Sequence, residues 1–350
     1  MEKKNVTFND IAKYTGFSKT TISRYFNRPD TLTREHRDTI KAALEALDYK
    51  ENKTGRILAK GTFECVGIIL PDSYNFYYQE MLSAILSTYD TYGYKFMVFS
   101  SDGVPEHEQR YIQELLAYKV EGLLIFSHTL SSEYLASLPV PIVGVEREDA
   151  HISSVNCDNY MGAVQAVSLL AKHNCEIFIH VNTPTAVTVP GYQRINGFLD
   201  FCEEHHLKYE IHVTDPGHRA EDMRKYLSAM LETLESVYPD KKKGIFFSND
   251  NAANEFLKLL IRKYHVLPKD YCFLGFDGSD LASEAVYSIS SIGQQIEKTA
   301  HEALTLLFSL IKQNKEEGTV PPPVHKVVTP ILMRRETTEY YSTSEEGSPS

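Results

Sequence analysis

Between residues 62 and 337 the sequence alternates short apolar runs with longer amphipathic stretches. The apolar runs have the length of buried strands, and the stretches between them carry apolar residues at helical spacing. Strands that alternate with helices form parallel sheets whose two faces are covered by helices. Because the region is too long for a single sheet, it predicts two α/β lobes. The predicted strands are 65–70, 95–100, 123–127, 142–145, 177–181, 244–247 and 272–276, and the predicted helices include 78–92, 106–118, 160–172 and 252–264.

Polar and aromatic residues follow several of these predicted strands, where open parallel sheets bind their ligands. Carboxylates, amides and an arginine suit the hydroxyl groups of a polyol, and aromatic rings stack on its apolar face. Any one of these residues could instead be a helix cap or an ordinary surface residue. Their shared position at strand ends favours a ligand site. The candidates are Asp72, Tyr77, Tyr78, Asp102, Glu146, Arg194, Asn249 and Asp277.

The charge of the chain is divided unevenly. The net charge is −11, yet residues 1–61 hold 13 Lys and Arg against 8 Asp and Glu. A basic segment on an acidic body suggests a nucleic-acid-binding module, and the acidic body confines contact with phosphate to that segment. An accident of surface charge would give the same distribution.

Residues 7–48 predict three short helices. Thr7 and Asp10 have the spacing of a capping box, Gly16 permits a turn, and Ser18 caps a second helix over residues 19–27. A third helix is predicted over residues 33–48. The exposed face of the second helix has no carboxylate, so this helix can enter a major groove and read base edges. The alternative is a three-helix domain with a polar surface and no ligand. The residues of the exposed face are Lys19, Thr20, Thr21, Ser23 and Arg24.

Residues 6–12 and 16–27 resemble the N-terminal signature of the LacI/GalR family of bacterial transcriptional regulators, which is named after the lactose and galactose repressors. The resemblance implies that Lys19, Thr20 and Arg24 face bases, and that the neighbouring hydroxyl residues lie near phosphates. The DNA-binding residues that it implies in this segment are Thr7, Ser18, Lys19, Thr20, Thr21, Ser23, Arg24 and Asn27.

Residues 50–61 are basic and in isolation predict a loop. The resemblance implies a hinge helix that forms on DNA, where Leu58 inserts into the minor groove with Asn52, Arg56 and Ala59 around it. Gly55 stands where the family usually has Ala. Since Gly within a helix costs about 1 kcal/mol relative to Ala, we expect the folding of this hinge to depend more strongly on DNA.

The resemblance continues to residue 337 and implies the two-lobed, type I periplasmic-binding-protein fold. In this fold the chain crosses between the lobes three times, here near Asp158, Gln294 and Lys326. The resemblance also implies an effector cleft, in which Arg194 and Asp277 hold hydroxyl groups. The motifs that carry it are residues 70–72, 119–122, 157–160, 194–198, 248–250, 275–277 and 335–337, and the implied cleft residues are Tyr78, Glu146, Arg194, Asn249, Asp277 and Gln294.

Three departures from the family pattern lie near the predicted mouth of the cleft, so the identity of the effector is not transferred. Phe76 replaces the usual Pro, residues 172–176 replace a common Gly-His, and residues 183–192 have their own sequence. We therefore expect a small-molecule effector of the sugar or sugar phosphate class.

The predicted organisation is an all-α helix-turn-helix head over residues 1–49, a hinge over 50–61, a two-lobed α/β effector and dimerisation domain over 62–337, and a disordered tail over 338–350. The tail has no leucine heptads, so a homodimer is expected. A twofold protein matches a near-palindromic, double-stranded DNA operator. The expected function is effector-controlled transcriptional regulation, usually repression in this family, of sugar-utilisation genes.

Two alternatives share the predicted body: a periplasmic sugar receptor and a sugar-processing enzyme. The N-terminus lacks the apolar segment of a secretory signal, no apolar run has the length of a membrane helix, and the five cysteines are widely spaced. These observations favour a cytoplasmic protein without a membrane. The sequence contains no nucleotide-binding loop, no nucleophile elbow and no metal-ligand spacing. We therefore expect no catalytic residue, no metal and no cofactor.

Overall fold

The computed structural model describes residues 6–50, 64–71, 75–147, 150–215 and 220–339. The chain forms two compact units, Met1–Thr62 and Phe63–Ser350. Part of the predicted hinge, residues 51–61, lies outside the described residues. The same holds for Asp72 and for residues 340–350 of the predicted tail.

The first unit contains three helices, α1 (Phe8–Thr15), α2 (Lys19–Asn27) and α3 (Arg34–Ala46), with a 3-10 turn at Pro29–Thr31. The Asp10 carboxylate accepts a hydrogen bond from the backbone N–H of Thr7 at 2.9 Å, as the capping-box spacing predicts. Gly16 ends α1 with a φ of +76°, a conformation that disfavours residues with a Cβ. The Ser18 hydroxyl caps α2 by accepting a hydrogen bond from the backbone N–H of Thr21 at 3.1 Å.

The core of the first unit is small and partly aromatic. Ile11, Ile22 and Ile40, one from each helix, are completely buried. The rings of Phe8 and Phe26 stack with their centroids 5.1 Å apart. This core fixes the angle between α1 and α2, so the exposed face of α2 is presented on a rigid support.

The second unit contains two lobes, and each lobe is built on a six-stranded sheet. The first sheet is entirely parallel and has the strand order β11-β5-β4-β3-β1-β2. Its strands are β1 (Cys65–Pro71), β2 (Lys95–Ser101), β3 (Gly122–Ile125), β4 (Ile142–Val145), β5 (Ser153–Cys157) and β11 (His325–Val328). Its helices are α4 (Phe76–Leu86), α5 (Tyr89–Tyr92), α6 (Pro105–Ala117), α7 (Ser132–Ala136) and α13 (Ile296–Glu317).

The second sheet has the order β12-β10-β9-β8-β6-β7, and β12 runs antiparallel to β10. Its strands are β6 (Ile177–Asn182), β7 (Tyr209–Val213), β8 (Lys243–Phe247), β9 (Tyr271–Asp277), β10 (Ser290–Gly293) and β12 (Ile331–Met333). The helices of this lobe are α8 (Asn159–Lys172), α9 (Gln193–Glu204), α10 (Ala220–Val237), α11 (Asp250–Tyr264), α12 (Asp280–Ser283) and α14 (Glu336–Glu339). The predicted fold class, helical head plus two α/β lobes, is confirmed.

Segments that cross between the lobes lie at three places. Asp158 joins β5 to α8, Gln294 and Gln295 join β10 to α13, and residues 329–330 join β11 to β12. The third crossing lies three residues beyond Lys326, which itself is in β11 and pairs with Val155. The segments also bind each other. The backbone N–H of Asp158 donates to the Val328 carbonyl at 3.1 Å, and the Gln295 side chain donates to the Thr329 carbonyl.

Helices α8 and α9 pack closely at one face of the second sheet, and a glycine makes this possible. A Cβ added to Gly197 would overlap the backbone carbonyl oxygen of Tyr160 and press on the Ala163 side chain. This close approach brings the first turn of α9, which carries Arg194, against the start of α8.

The C-terminal end of the second unit extends beyond the predicted boundary at residue 337. Thr338 lies in α14, is 7% exposed, and its hydroxyl is 2.7 Å from the Ser290 hydroxyl. The assignment of Thr338 and Glu339 to a disordered tail is therefore wrong. Among the described ranges, no helix is both long and apolar enough to cross a bilayer.

Candidate functional site

The exposed face of α2 combines cations and hydroxyl groups. Lys19, Thr20 and Arg24 are exposed, and α2 contains no acidic residue. Ser18 and Thr21, which the family resemblance places near phosphates, also bind each other through hydroxyl oxygens 2.9 Å apart. This helix can therefore approach phosphate without electrostatic repulsion, and its side chains offer hydrogen-bond donors to base edges.

Some predicted DNA-binding residues have a structural role or lie outside the described part of the chain. Thr7 is exposed and belongs to the capping box of α1, and Asn27 is the last residue of α2. Asn52, Arg56, Leu58 and Ala59 belong to the part of the hinge outside the described residues. Their roles stay predictions.

The second candidate site lies between the lobes, and Arg194 is at its centre. Its Nε donates to Asn159 Oδ1 at 2.7 Å, and its Nη1 donates to the Ser248 carbonyl. Its guanidinium carbon lies 3.6 Å from the ring centroid of Phe276. These contacts fix the cation between α8, β8 and β9. Asn159 belongs to the family motif at residues 157–160, but it was not among the predicted cleft residues, since the strand that precedes it was not predicted.

Glu146 follows β4 and has a φ of +53°. Its carboxylate accepts hydrogen bonds from the backbone N–H of Cys157 and from Asn159 Nδ2, the latter at 2.9 Å. Burial raises the pKa of the Glu146 carboxyl, and the nearby Arg194 guanidinium opposes this shift. Asn159 thus joins the two predicted residues, because its Nδ2 donates to Glu146 and its Oδ1 accepts from Arg194.

Asp277 ends β9 with a φ of +116° and is 3% exposed. Its Oδ1 accepts a hydrogen bond from Gln294 Nε2 at 2.7 Å. Burial raises the pKa of the Asp277 carboxyl well above its ordinary value, and the Arg194 guanidinium opposes the shift. Among the described residues, Asp277 Oδ2 and Gln294 Oε1 have no hydrogen-bond partner.

Tyr77 and Tyr78 occupy the first turn of α4, with their ring centroids 5.3 Å apart in an edge-to-face arrangement. Burial raises the pKa of both phenols, and the carboxyls of Glu146 and Asp277 are near enough to add to the shift. The Tyr77 hydroxyl has no partner among the described residues. Three buried polar atoms from both lobes are therefore left unsatisfied in one place. Such groups carry a desolvation cost that a hydroxyl-bearing ligand would remove.

Asn249 and Asp102, which were also predicted to line the cleft, make their described hydrogen bonds elsewhere. Asn249 is half-buried, and its Oδ1 caps α11 by accepting from the backbone N–H of Ala252 at 2.8 Å. Asp102 is exposed, and its carboxylate accepts hydrogen bonds from His107 Nδ1 at 2.7 Å and from the backbone N–H of Val104 at 3.2 Å. These contacts lower the pKa of Asp102 and use its carboxylate within its own turn. We call Arg194, Asn159, Glu146 and Asp277 the Arg194 cluster. No described contact joins Asp102 to it.

Asp250 is a buried residue that binds two segments of the candidate site. This completely buried carboxylate accepts hydrogen bonds from the Ser279 backbone and hydroxyl, both at 2.8 Å, and from the Ser291 hydroxyl at 2.6 Å. Burial raises the pKa of Asp250 to about 6, and the hydrogen bonds oppose the shift. Because Ser279 and Ser291 lie on the segments that carry Asp277 and Gln294, Asp250 holds these two segments together.

The described residues contain no group of three His, Cys, Asp or Glu side chains that could hold a metal ion. The buried carboxylates are held by amides, hydroxyls and backbone N–H groups. This arrangement suits the recognition of hydroxyl groups at fixed positions.

Two known protein families match parts of this chain, one in each compact unit. Residues 7–52 match the family of bacterial regulatory proteins called lacI, and residues 167–338 match the periplasmic binding protein-like domain. The chain is therefore similar to the lacI family of bacterial regulatory proteins in its head and to periplasmic binding proteins in its second lobe. The chain joins a helix-turn-helix head to a two-lobed domain, as the sequence resemblance implies.

Similar proteins extend over nearly the whole length of this chain. The ribose operon repressor of Halalkalibacterium halodurans is 28% identical over 341 residues, which cover 97% of this chain and 99% of the relative. The sucrose operon repressor of Streptococcus mutans is 28% identical, with coverages of 86% and 92%. A crystal structure of the Lac repressor dimer bound to operator and an anti-inducer shares the fold, with a TM-score of 0.79, 20% identity and coverages of 96% and 99%.

Proposed function

We propose that this protein is a transcription regulator of the lacI family whose affinity for DNA is set by a small sugar bound between its two lobes. The observation that carries the proposal is the buried group of unsatisfied polar atoms, Tyr77 hydroxyl, Asp277 Oδ2 and Gln294 Oε1. A head with a carboxylate-free α2 supplies the DNA-binding part. The names of the relatives, repressors of ribose and sucrose operons, support regulation of sugar-utilisation genes.

The chemistry of the cleft favours an uncharged sugar over a sugar phosphate. The Arg194 guanidinium already donates to Asn159 and to the Ser248 carbonyl. The remaining charged groups near it, Glu146 and Asp277, are carboxyls, which repel phosphate and accept hydrogen bonds from hydroxyl groups. We therefore assign the unphosphorylated sugar as the effector class.

The proposed DNA partner is a near-palindromic duplex bound by a homodimer, because each head reads one half-site and a twofold protein matches a twofold sequence. The base contacts are assigned to Lys19, Thr20 and Arg24. A DNA partner and five buried, unbridged cysteines favour a cytoplasmic protein. The hinge residues Leu58 and Gly55 keep their predicted roles as minor-groove wedge and helix-weakening residue.

The main alternatives are a sugar receptor and a sugar-processing enzyme with the same body. The helical head disfavours a receptor, since a receptor has no use for a basic DNA-reading helix. The fixed hydrogen bonds of Glu146 disfavour a catalytic role, because a general acid or base must exchange its proton with the substrate. We propose that the protein acts by binding, without catalysis.

Selection of binding sequences from a pool of random DNA duplexes tests the DNA-binding half of the proposal. The full-length protein should enrich a near-palindromic sequence and retard it in a gel at low salt. An Arg24→Ala variant should enrich this sequence more weakly and with a relaxed preference for one base. Failure of the wild-type protein to enrich or retard any sequence would contradict the proposal.

A thermal-shift screen tests the effector half. Ribose, sucrose and their monophosphates are the probes, and Asp277→Asn is the variant with an altered cleft. A ligand at 100 times its dissociation constant stabilises the folded protein by about 2.7 kcal/mol. We expect an unphosphorylated sugar to raise the melting temperature of the wild-type protein alone. Stabilisation by the phosphates and not by the free sugars would contradict the assigned effector class.

A further inference from the structure

Two hydrogen bonds join the lobes beside the cleft, and they use atoms outside the proposed ligand site. The backbone N–H of Phe76, the first residue of α4, donates to Asn251 Oδ1 at 3.2 Å. The backbone N–H of Asp280, the first residue of α12, donates to Glu80 Oε1 at 2.9 Å. Helix α4 belongs to the first lobe, whereas Asn251 and Asp280 belong to the second. We call these two bonds the interlobe seam.

In both lobes, the residues of the seam are close in sequence to residues of the cleft. Phe76 directly precedes Tyr77, Asn251 follows Asn249 by two residues, and Asp280 follows Asp277 by three. The elements that present side chains to the ligand therefore also carry the seam. An increase in the angle between the lobes that lengthens these two bonds would therefore also separate the elements that line the cleft.

Glu80 is the side chain of the seam that can be tested most cleanly. It is half-buried, it is the acceptor of its bond, and the first turn of α12 offers it an N–H that no helical carbonyl accepts. Burial raises the pKa of Glu80, the Asp280 N–H opposes the shift, and the Asp280 carboxylate adds to it. The bond is thus charge-assisted, but the neighbouring carboxylate and solvent limit its strength.

We propose that Glu80, together with Asn251, is a positioning residue that holds the lobes closed before any ligand binds. This role deepens the proposed function and rests on it, because closure of the lobes is the event that the effector controls. In the absence of ligand, the seam supplies part of the free energy of closure. The affinity for a ligand that contacts both lobes then depends on the fraction of protein that the seam keeps closed.

The proposal is tested by the distance between the lobes in the full-length protein, measured by single-molecule fluorescence energy transfer. Gln113→Cys on α6 and Glu232→Cys on α10 provide exposed labelling positions, and the five native cysteines are buried. Mixing with excess unlabelled chain limits each assembly to one labelled protomer. The measurement needs no ligand.

Three variants of the labelled protein separate the hydrogen bond from general effects. Glu80→Ala removes the acceptor, Glu80→Gln keeps an acceptor oxygen, and Gln79→Ala changes the exposed neighbour. We expect Glu80→Ala to raise the ratio of open to closed molecules roughly fivefold, the effect of losing one hydrogen bond of ordinary net strength. Gln79→Ala should match the wild-type protein, and Glu80→Gln, which keeps an acceptor oxygen but loses its charge, should open the lobes less than Glu80→Ala does.

Two results would overturn the proposal. One is a Glu80→Ala distance distribution that superimposes on the wild-type distribution. The other is equal opening by Glu80→Ala and Glu80→Gln, which would mean that an acceptor oxygen is not what holds the lobes. A melting curve for each variant checks that it is folded, and Asn251→Ala provides a second, independent break of the seam. Gel retardation by the unlabelled wild-type protein, on the DNA selected above, reports separately on the proposed function.

Discussion

Gln294 Nε2 donates a hydrogen bond to Asp277 Oδ1 at 2.7 Å, and each side chain keeps a second oxygen without a partner among the described residues. Asp277 is the last residue of β9, and Gln294 directly follows the neighbouring strand β10. After Gln294 the chain returns to the first lobe. A ligand that satisfies the two oxygens would bind one segment of the second lobe and one crossing segment at once. This pair therefore connects ligand recognition to the geometry of the lobes.

Asp277→Asn should stabilise the free protein and weaken effector binding. The variant removes a buried carboxyl whose pKa is raised by burial, so the free energy of unfolding should increase near neutral pH. Effector affinity should fall at least about tenfold, because the charged acceptor is lost. Chemical denaturation and ligand titration measure the two effects. Asp102→Asn, a change at the exposed carboxylate outside the Arg194 cluster, is the control and should alter neither.

Asp250 should make stability depend on pH between about 4 and 6. Its folded-state pKa of about 6 lies above the ordinary value of 3.8, so the folded protein binds more protons than the unfolded chain in this range. Stability therefore falls as the pH rises from 4 to 6 and is constant, for this group, above 6. The difference in unfolding free energy, wild type minus Asp250→Asn, should decrease by up to about 3 kcal/mol between pH 4 and pH 7. Urea titrations at a series of pH values measure it, and a pH-independent difference would refute the assignment.

Gly197→Ala should destabilise the second unit by roughly 1–3 kcal/mol, because the added methyl group overlaps the Tyr160 carbonyl oxygen and forces α8 and α9 apart. Gly191→Ala is the matched control, since a Cβ there meets no atom within 4 Å. Thermal unfolding of both variants checks the prediction. Equal melting temperatures for the two variants would show that the helices can separate without cost.

Arg24→Ala should weaken specific DNA binding by about 1–3 kcal/mol and relax the preference for one base. Lys41→Ala is the control, because it removes an exposed cation from α3 of the same head. This second change should weaken binding to all sequences alike, if at all. Retardation assays with the selected sequence and with single-base variants distinguish the two outcomes. A similar loss of specificity in both variants would mean that α2 is not the reading helix.

The sequence predicted the buried strands rich in Val, Ile, Leu and Phe, but it did not predict the polar ones. β5 contains Ser153, Ser154 and Asn156, all of them buried, and β10 begins with Ser290 and Ser291, which are also buried. Their hydroxyl and amide groups find partners within the fold, such as Asp250 for Ser291 and the Arg147 backbone for Asn156. Burial of such residues depends on tertiary hydrogen bonds, so apolar periodicity gives no signal for them.

Three further strands, β7, β11 and β12, lie at sheet edges, where partial exposure weakens the apolar pattern. The predicted helix over residues 78–92 is divided into α4 and α5, because the chain leaves α4 at Ser87 and starts a new turn after Thr88. The two side-chain hydroxyls there donate to backbone carbonyls of α4 and compete with the continuing helix.

The candidate site was predictable wherever its residues follow an apolar strand. Glu146 and Asp277 follow β4 and end β9, and the structure brings both to Arg194. Asp102 also follows a strand, but β2 lies at the edge of its sheet, and the carboxylate is taken up by His107. The position of a strand within its sheet thus decides whether the residue that follows it reaches Arg194. The sequence does not reveal this position.

The three crossing segments run side by side and bind each other at Asp158, Val328 and Gln295. A joint built from three parallel ribbons bends easily about one axis and resists twisting and sliding. The relative motion of the lobes is thereby reduced to nearly a single angle. Under the proposed function, ligands of different shape would all act through that one angle, so the lining of the cleft could change during evolution without changing how the lobes move.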